Sequence, residues 1–326
     1  MMNYDTNLVP SYYDVTKEYF ITKLHVKRQP AVLCGIDIGP CVEKWTSDYL
    51  IEKSGSTIVK VHVGSEANMN FLSKNFSYKT LTFEQLVKRS KKKIQDDNDY
   101  FFSPKEYYYL RSLSNERRGK QVANLKTDFP ELADDVKLPC FFADEQFFSS
   151  ILRLGSLGMQ MWTHYDVMDN FLIQVQGEKR VTLFSPSDAS FLYLDGDKSE
   201  IVDIDNPDLN KYPNFVKATR YDCLLRPGDV LFIPAFWFHT TQSLSFCINV
   251  NVFWKNLDAH FYEKNDYYGN KDLIPASKML QAVSKAMNNL DSLPKDCKEF
   301  YAKRAIRLIE KTLEDNEKSA DKSSSK

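Results

Sequence analysis

The sequence predicts a mainly β fold, a barrel or sandwich of short strands, with helical elements before and after it. Two observations carry this prediction. From about residue 148, short segments with alternating apolar and polar residues follow one another between turns, which is typical of barrel strands. The composition also suits a sheet-based core, because the 326 residues include 22 Phe and 18 Tyr but only 11 Gly. G-x-G-x-x-G and P-loop runs do not occur in the sequence, so nucleotide-driven chemistry is not indicated.

Residues 1–100 are predicted to form α/β elements that pack on the barrel. Some segments repeat apolar residues at helical spacing, and short apolar runs bounded by turn residues lie between them. The expected elements are helix 16–23, strand 31–36, helix 43–53, strand 58–63 and helix 83–93.

Residues 101–265 are predicted to hold the barrel itself. Residues 171–175 alternate as a strand does, Gly177 interrupts them, and a strand at 179–185 completes a hairpin. The final strand carries Ile, Val and Trp on one face and two Asn on the other. The later strands are expected at 230–233, after an Arg-Pro-Gly-Asp turn, and at 246–254.

Residues 266–313 are predicted to form a pair of amphipathic helices. Apolar residues share one face of 276–290, Pro294 interrupts the pattern, and 298–313 continues it as a second helix. An exposed apolar stripe on such helices is typical of packing against a partner subunit. Residues 314–326 are charged and rich in Ser and Lys, so a disordered tail is expected there.

The charge balance excludes a strong overall field for nucleic acid, because 43 basic residues face 44 acidic ones. A nucleic-acid partner would therefore be held by local basic patches. Basic residues are also common as solvated caps at helix ends, and this alternative stays open for each patch. The three candidate patches are Lys88, Arg89, Lys91, Lys92 and Lys93; Arg117, Arg118 and Lys120; and Lys303, Arg304 and Arg307.

The cysteines and the N-terminal segment predict the compartment. Six cysteines lie far apart without a C-x-x-C pair, which favours reduced thiols over a disulfide framework. The first residues, MMNYDTNLVP, lack the basic and apolar parts of a signal peptide. Apolar runs stay short of the roughly 20 residues that a membrane span needs. We therefore expect a soluble protein of the cytoplasm or nucleus.

An H-x-D pair, His164 and Asp166, is the candidate centre of chemistry. Residues two apart on a strand point to the same face, so these side chains can bind one ion. His239 is the best third ligand, and two His with one carboxylate are typical of non-haem Fe(II) enzymes. Taken alone, an H-x-D pair also occurs by chance, and a His after an aromatic run is often a packed core residue. His25, His62 and His260 are interpreted as structural or surface residues.

Lys179 points to an anionic cosubstrate. It lies fifteen residues after His164, on the same strand face as Val181 and Leu183, so a cation stands in an apolar row. A buried lysine is unfavourable unless it meets an anion, and the distal carboxylate of 2-oxoglutarate would suit it. The alternative is a strand-end lysine that extends to water. Asn170 and Asn251 either line the ligand cavity or form a buried network, and spacing does not separate the two.

These residues together resemble the JmjC family of oxygenases. The H-x-D pair, the lysine fifteen residues on and the distal His are similar to the asparaginyl hydroxylase that acts on hypoxia-inducible factor. A closer resemblance, to the JmjC-type tRNA wybutosine hydroxylases, covers the chain from about residue 30 to the C-terminal helices. The motifs that carry it are GIDIGPC, KWTSDYL, SKNFSY, YYLRSL, WTHYDVMDN, FSPSDASFLYLDGDKSE, IDNPDLNKYP, GDVLFIPAFWFH and YGNKD, whereas the run RPGDVLFIP belongs to the wider JmjC resemblance.

The resemblance implies a fold, cofactors and site residues. It implies a double-stranded β-helix of the jelly-roll, cupin type with Fe(II), and with 2-oxoglutarate and O₂ as cosubstrates. The implied metal ligands are the three residues of the H-x-D pair and the distal His. The implied 2-oxoglutarate contacts are Lys179, Asn170 and Tyr109. Asn251 is a further candidate from its place on the polar face of the last strand. Where the asparaginyl hydroxylase has a Thr, this chain has Met161, and Tyr109 or Thr163 is expected to replace that hydroxyl.

The resemblance also implies a substrate and an assembly. The substrate would be the hypermodified guanosine beside the anticodon of tRNA-Phe, hydroxylated on the amino-carboxypropyl side chain of a wybutosine precursor. Family members are homodimers through C-terminal helices. Two alternatives remain: a JmjC protein hydroxylase or demethylase that acts on a protein side chain, and a catalytically inactive cupin-like binding module.

Overall fold

The computed structural model describes residues 6–96, 99–114, 121–139 and 141–324, without the side chains of 315–324. The chain divides into two compact units, residues 1–271 and residues 272–326. The second predicted basic patch, Arg117, Arg118 and Lys120, lies outside the described residues. Across the described ranges, none of the helices is long and apolar enough to cross a membrane.

The strands of the first unit are mostly short, and those of the barrel lie beyond residue 146. In chain order they are β1 Thr6–Leu8, β2 Ser11–Tyr13, β3 Ala31–Cys34, β4 Ile58–Gly64, β5 Phe76–Thr82, β6 Tyr107–Arg111, β7 Phe147–Gly155, β8 Asp169–Gln176, β9 Lys179–Phe184, β10 Leu194–Asp195, β11 Lys198–Ser199, β12 Arg220–Leu225, β13 Val230–Ile233, β14 Phe238–Ser243 and β15 Cys247–Trp254.

The helices lie mainly before and after the barrel strands. The α-helices are α1 Lys17–Tyr19, α2 Cys41–Lys44, α3 Ser47–Ser54, α4 Phe83–Lys91, α5 Leu125–Asp128, α6 Pro130–Ala133, α7 Ile274–Asn288 and α8 Lys295–Ser324. A π-helical turn, Phe20–Leu24, follows α1, and the 3₁₀ turns are His25–Lys27, Asp144–Gln146, Pro186–Phe191, Pro213–Lys217, Ala259–Phe261 and Asn289–Ser292.

Two large sheets and one two-stranded sheet, β10-β11, build the first unit. One large sheet has the order β2-β3-β13-β8-β15-β7-β6-β4-β5, and the other has the order β1-β12-β9-β14. In the smaller sheet β9 pairs antiparallel with β12 and β14, and in the larger sheet β8 pairs antiparallel with β13 and β15. Antiparallel pairing of this kind is typical of a jelly roll. The predicted division at residue 100 implies N-terminal strands that pack on a complete barrel, but the strands are arranged differently. They extend its sheets, because β3 pairs with β13 and β1 pairs with β12.

Apolar layers hold these sheets together. The space between the sheets is filled by side chains from both of them, and the outer face of the larger sheet is covered by the N-terminal helices. The inner layer includes Val32, Leu172, Val181, Leu183, Leu225, Leu231 and Ile233. The outer layer includes Phe20, Leu50, Leu86, Phe171, Ile173, Val250, Val252 and Trp254.

The alternation in β8 and β15 decides which residues face the barrel interior. Phe171 and Val250 lie in the outer layer, so their sequence neighbours Asn170 and Asn251 point the other way, between the sheets. The hairpin from β8 to β9 turns at Gly177, whose φ is +76°. A Cβ atom there would lie 2.1 Å from the carbonyl oxygen of Phe246, so only glycine fits this turn.

The second unit consists of α7 and α8 with a 3₁₀ turn between them. Large apolar side chains on both helices are exposed, as the amphipathic pattern predicts. Helix α8 continues to Ser324, whereas the sequence predicts a disordered tail from residue 314. The Glu and Lys residues of the tail favour helix, so the backbone can continue the preceding turns. The exposed apolar residues are Met279, Leu280, Val283, Phe300, Ile306, Leu308, Ile309 and Leu313.

Candidate active site

The backbone pairing of His164 with His239 brings the H-x-D pair and the distal His together. The N–H of His164 donates to the carbonyl of His239 at 3.1 Å, and the N–H of His239 donates back at 2.8 Å. Two residues that exchange both hydrogen bonds lie directly opposite each other, with side chains on one face. The imidazole centroids are 4.4 Å apart. Asp166, two residues after His164, follows on the same face.

A tight turn before β14 sets this register. Phe236 has a φ of +70°, a left-handed conformation that is rare for a bulky residue, and its N–H donates to the carbonyl of Asp166 at 2.8 Å. The buried carboxylate of Asp169 accepts the N–H of Ala235 at 2.8 Å. His25 and Arg28 contact the same carboxylate. The predicted structural role of His25 therefore takes the form of an anchor for this turn.

The side chains of His164, Asp166 and His239 form a cluster that fits a metal ion. One ligand atom from each lies within 4.8 Å of the others, and Nε2 of His239 is 3.5 Å from Oδ2 of Asp166. Nδ1 of each imidazole is 3.0 Å from a backbone carbonyl two residues earlier, which leaves Nε2 free for a metal. Oδ2 of Asp166 is buried without a hydrogen-bond partner among the described residues.

Burial also puts both imidazoles in the form that binds a metal. It lowers the pKa of His164, and burial together with the neighbouring His164 lowers the pKa of His239 to about 4. Both rings are therefore neutral near pH 7, with a lone pair on Nε2. A neutral imidazole pair beside an unpaired carboxylate is the donor set of non-haem Fe(II) sites.

Behind this cluster, Lys179 begins a chain of polar side chains between the sheets. Its ammonium donates to Oδ1 of Asn249. Nδ2 of Asn249 donates to Asn251 at 2.8 Å, and Nδ2 of Asn251 donates to Asn170 at 2.9 Å. The spacing in the sequence does not decide between a ligand contact and a buried network for Asn170 and Asn251. In this structure the two side chains form a buried network with each other.

Lys179 does not extend to water, since it is only 3% exposed. Burial lowers its pKa to about 8, because the charged ammonium is less favourable away from solvent. Among the described residues, no carboxylate pairs with this ammonium. It donates instead to the amide oxygen of Asn249. A buried cation without a counter-ion is the environment in which an anionic ligand binds favourably.

A cavity of about 440 Å³ opens in front of the cluster. Tyr109 and Arg153 line it, and Arg153 donates from Nη1 to the hydroxyl of Tyr109. The hydroxyl of Thr163 is buried without a partner among the described residues, but Thr163 does not line this cavity. The further lining residues are Lys60, His62, Phe71, Tyr78, Arg111, Leu113, Met161, Trp162, His164, Asp166, Asp197, Lys198, Phe253, Tyr268 and Asn270.

Three features of this cavity do not follow from the sequence reasoning. Arg111 and Arg153 lie on different strands, and only their pairing across β6 and β7 brings them together. The signal that could have found them is the alternation in Tyr107–Arg111, which places Tyr109 and Arg111 on one face. His62, interpreted as structural or surface, also lines the cavity, and burial lowers its pKa to about 4.

The two described basic patches carry much of their own counter-charge. Lys88 pairs with Glu84, and Lys92 pairs with Asp96. On α8, Lys303 pairs with Glu299, and a further pair joins Arg307 to Glu314. Such exposed pairs are typical of solvated helices, so the geometry of the patches does not itself distinguish the two interpretations.

A comparison with protein-family models places this fold and site in a known class. The model of the cupin-like domain matches residues 16–260. That range is more than half of the chain and holds most strands of the two large sheets together with the His-Asp-His cluster. The chain therefore belongs to the cupin-like family, and the predicted fold class is confirmed.

Individual proteins are similar to this chain over most of its length. A Danio rerio protein named tRNA wybutosine-synthesizing protein 5 is 53% identical over 302 residues, 93% of this chain and 92% of that protein. The Homo sapiens protein of the same name is 52% identical over 302 residues, 93% of this chain and 95% of that protein. A Gibberella zeae protein named tRNA wybutosine-synthesizing protein 4 is 38% identical over 289 residues, 86% of this chain but 27% of that protein.

Proposed function

We propose that this protein is an Fe(II)- and 2-oxoglutarate-dependent oxygenase. The observation that carries the proposal is the cluster of His164, Asp166 and His239, with a buried carboxylate oxygen that has no protein partner among the described residues. These three side chains would hold the metal. When bound, the iron supplies O₂ activation coupled to oxidative decarboxylation of 2-oxoglutarate to succinate and CO₂.

The residues around the cluster would bind and orient the cosubstrate. Lys179, buried and without a counter-ion, would pair with one carboxylate of 2-oxoglutarate. The hydroxyl of Tyr109 lies in the cavity and is oriented by Arg153, so it replaces the missing Thr at Met161 better than Thr163 does. Asn170 and Asn251 offer amide groups at the end of the same polar chain.

The substrate that we propose is a wybutosine precursor in tRNA-Phe, beside the anticodon, hydroxylated on its amino-carboxypropyl side chain. The names of the relatives support this proposal at about half identity over nearly their whole length. The cavity also suits a base removed from its stack, because Phe71, Trp162 and Tyr78 offer aromatic faces at its wall. These features favour RNA over the protein side chain of the alternative hydroxylase or demethylase.

Binding of the tRNA would use the basic patches and a homodimer. Lys91, Lys93 and Arg304 have no ion pair with the described residues, so their charge is available to phosphates. The exposed apolar side chains of α7 and α8 would be covered in a homodimer, as the resemblance implies. Leu308→Glu should then yield monomers in sedimentation, whereas the wild-type chain sediments as a dimer.

Mass spectrometry of nucleosides tests the proposed reaction. tRNA-Phe that carries the precursor is incubated with the protein, Fe(II), 2-oxoglutarate and O₂. The expected result is a gain of one oxygen with equimolar succinate, and neither product with His164→Ala. A precursor that gains no oxygen would contradict the proposed substrate, and succinate formation in its absence would still support an oxygenase.

A further inference from the structure

Arg111 has no part in the proposed cosubstrate site, yet it lines the same cavity. We propose that Arg111 binds a carboxylate on the substrate group that enters the cavity, and so selects substrates whose reacting side chain carries a free carboxylate. This inference rests on the proposed function and specifies its substrate further.

The position of Arg111 separates it from the cosubstrate site. Asn249, Arg153 and Arg111 lie directly opposite one another on β15, β7 and β6. Neighbouring strands are about 4.8 Å apart, so the backbone of Arg111 is roughly 10 Å from that of Asn249. Lys179 donates to Asn249, so its ammonium lies at the Asn249 end of this row. Arg111 lies at the other end, on the cavity wall.

Arg111 is held so that part of its guanidinium stays available. Nη2 donates to the carbonyl of Tyr268 at 2.9 Å, and the guanidinium lies 4.6 Å from the centre of the Tyr268 ring. The described residues offer it no carboxylate partner and no second hydrogen bond. A guanidinium has five N–H donors in a fixed fork, so enough remain for a carboxylate.

The loop that holds Arg111 has a defined shape. The carboxylate of Asp266 accepts the N–H groups of Tyr268, Gly269 and Lys271 at 2.9–3.2 Å. Gly269 has a φ of +75°, and a Cβ atom there would lie 2.7 Å from a ring carbon of Phe148. This loop is the YGNKD motif, whose place in the chemistry the resemblance leaves open. Its shape sets the carbonyl of Tyr268 against Arg111.

The charges of the cavity leave Arg111 for the substrate. Asp197 pairs with Lys198, and Asp166 belongs to the proposed metal site. Burial lowers the pKa of Arg111 to about 10, with Arg153 as a further cause, so the side chain stays charged near pH 7. A dicarboxylate cosubstrate would balance Lys179 and Arg153. Of the two lining cations that then remain, Lys60 is exposed and lies against the ring of Tyr78, whereas Arg111 is partly buried, and a substrate carboxylate would balance it.

The experiment compares two forms of tRNA-Phe, one with the precursor side chain as the free carboxylate and one with that carboxylate methyl-esterified. Binding is measured without O₂, and kcat/KM is measured with O₂. We expect the wild-type protein to prefer the free carboxylate about 10- to 100-fold in both measurements, as a charge-assisted hydrogen-bond pair provides. In Arg111→Gln the ratio should fall towards one, and in Arg111→Lys part of the ratio should remain.

Lys60→Gln is the matched control, because Lys60 also lines the cavity but is exposed and lies 4.6 Å from the ring of Tyr78. It should weaken both tRNA forms equally and keep the ratio. Equal loss of both forms in Arg111→Gln, with the ratio retained, would mean that Arg111 only anchors the loop. Equal affinity of the wild-type protein for both forms would overturn the inference as well.

The two proposals fail in different ways. If neither tRNA gains oxygen but binding still depends on the carboxylate through Arg111, the carboxylate site stands and the proposed reaction is wrong. If both forms gain oxygen at the same rate, the reaction stands and the carboxylate site is wrong.

Discussion

The two ends of the barrel interior differ in how their polar groups are satisfied. At the deep end, Lys179, Asn249, Asn251 and Asn170 form a continuous chain of hydrogen bonds. At the cavity end, Oδ2 of Asp166 and Nε of Arg153 are buried without partners among the described residues. Buried polar groups in folded proteins are normally paired.

The groups without partners at the cavity end are therefore candidates for ligand binding, whereas in the polar chain the amides are paired and the charge of Lys179 lacks a counter-ion among the described residues. A buried group without a partner destabilises a protein by about 1 to 3 kcal/mol, and by more when it is charged. Other buried atoms without partners, such as Oγ of Ser90, are neutral and lie apart from this cavity. A carboxylate and a guanidinium in one cavity are better explained by a metal and anions that complete them.

Asp166→Asn should give the largest effect at the cavity end. Loss of an outer partner alone lowers metal affinity about 10- to 100-fold, so loss of the charged ligand itself should exceed that. Unfolding stability should stay equal or rise, since an unpaired buried charge is removed. Titration calorimetry with Mn(II) and chemical denaturation measure the two. Asp197→Asn, in the same cavity, should keep its metal affinity, and a metal-binding Asp166→Asn protein would contradict the assignment.

Lys179→Met should affect cosubstrate binding at the deep end without a matching loss of stability. We expect the KM for 2-oxoglutarate to rise about 10- to 100-fold, because a charge-assisted contact is lost. The free energy of unfolding should change little, because removal of the buried charge offsets the loss of the hydrogen bond to Oδ1 of Asn249. Steady-state kinetics and denaturation of the same samples decide this, and an unchanged KM would remove Lys179 from the cosubstrate site.

The free energy of unfolding should depend on pH through the lowered pKa of Lys179. Its pKa is lowered to about 8 in the fold and is about 10.4 in an unfolded chain. Between these values the unfolded state holds the proton and the folded state does not, so the stability of the cosubstrate-free protein rises with pH. The gain is at most about 3 kcal/mol. Urea denaturation at pH 7.5 and 9.5 should show a rise in the wild-type chain that is smaller in Lys179→Met.

Asn251→Leu should destabilise the fold from the deep end. It leaves the amide of Asn249 and the carbonyl of Asn170 without a partner, at about 1 to 3 kcal/mol for each. Urea denaturation measures the loss, and Asn214→Leu on the surface is the control. Equal stability of both variants would mean that the polar chain does not stabilise the barrel.

Gly269→Ala should have the smallest effect. The left-handed φ and the contact with Phe148 oppose a side chain, so the loop should shift at about 1 kcal/mol. The melting temperature should fall slightly. The preference for a free carboxylate should fall more, since Tyr268 no longer holds Arg111 in place. An unchanged preference would show that the loop does not position this arginine.

The sequence predicts the parts of the fold that depend on local alternation. Strands β8, β9 and β15 follow from their period of two, as do His164 and Asp166, whereas β13 follows from an apolar run after a turn. In strand β6 the period of two puts Tyr109 and Arg111 on one face, but the run of three Tyr does not show which face points inward. The insertion of β3 and β1 into the sheets depends on pairing between distant segments, which no local pattern specifies.

The same limit applies to the site. His239 is a candidate by residue type, but its pairing with His164 depends on the left-handed Phe236 and on Asp169, which holds the turn. Arg153 lies 42 residues after Arg111, and only the pairing of β6 with β7 brings them side by side.

The central claim is that a metal completes Asp166 and that a dicarboxylate completes the buried ammonium of Lys179, which has no counter-ion among the described residues. A crystal structure with Mn(II) and a non-reacting 2-oxoglutarate analogue, prepared without O₂, tests it most directly. We predict a manganese peak bonded to His164, Asp166 and His239 at about 2.0–2.2 Å, with the distal carboxylate of the analogue on Lys179. A metal bound elsewhere, or Lys179 without a carboxylate beside it, would contradict this account.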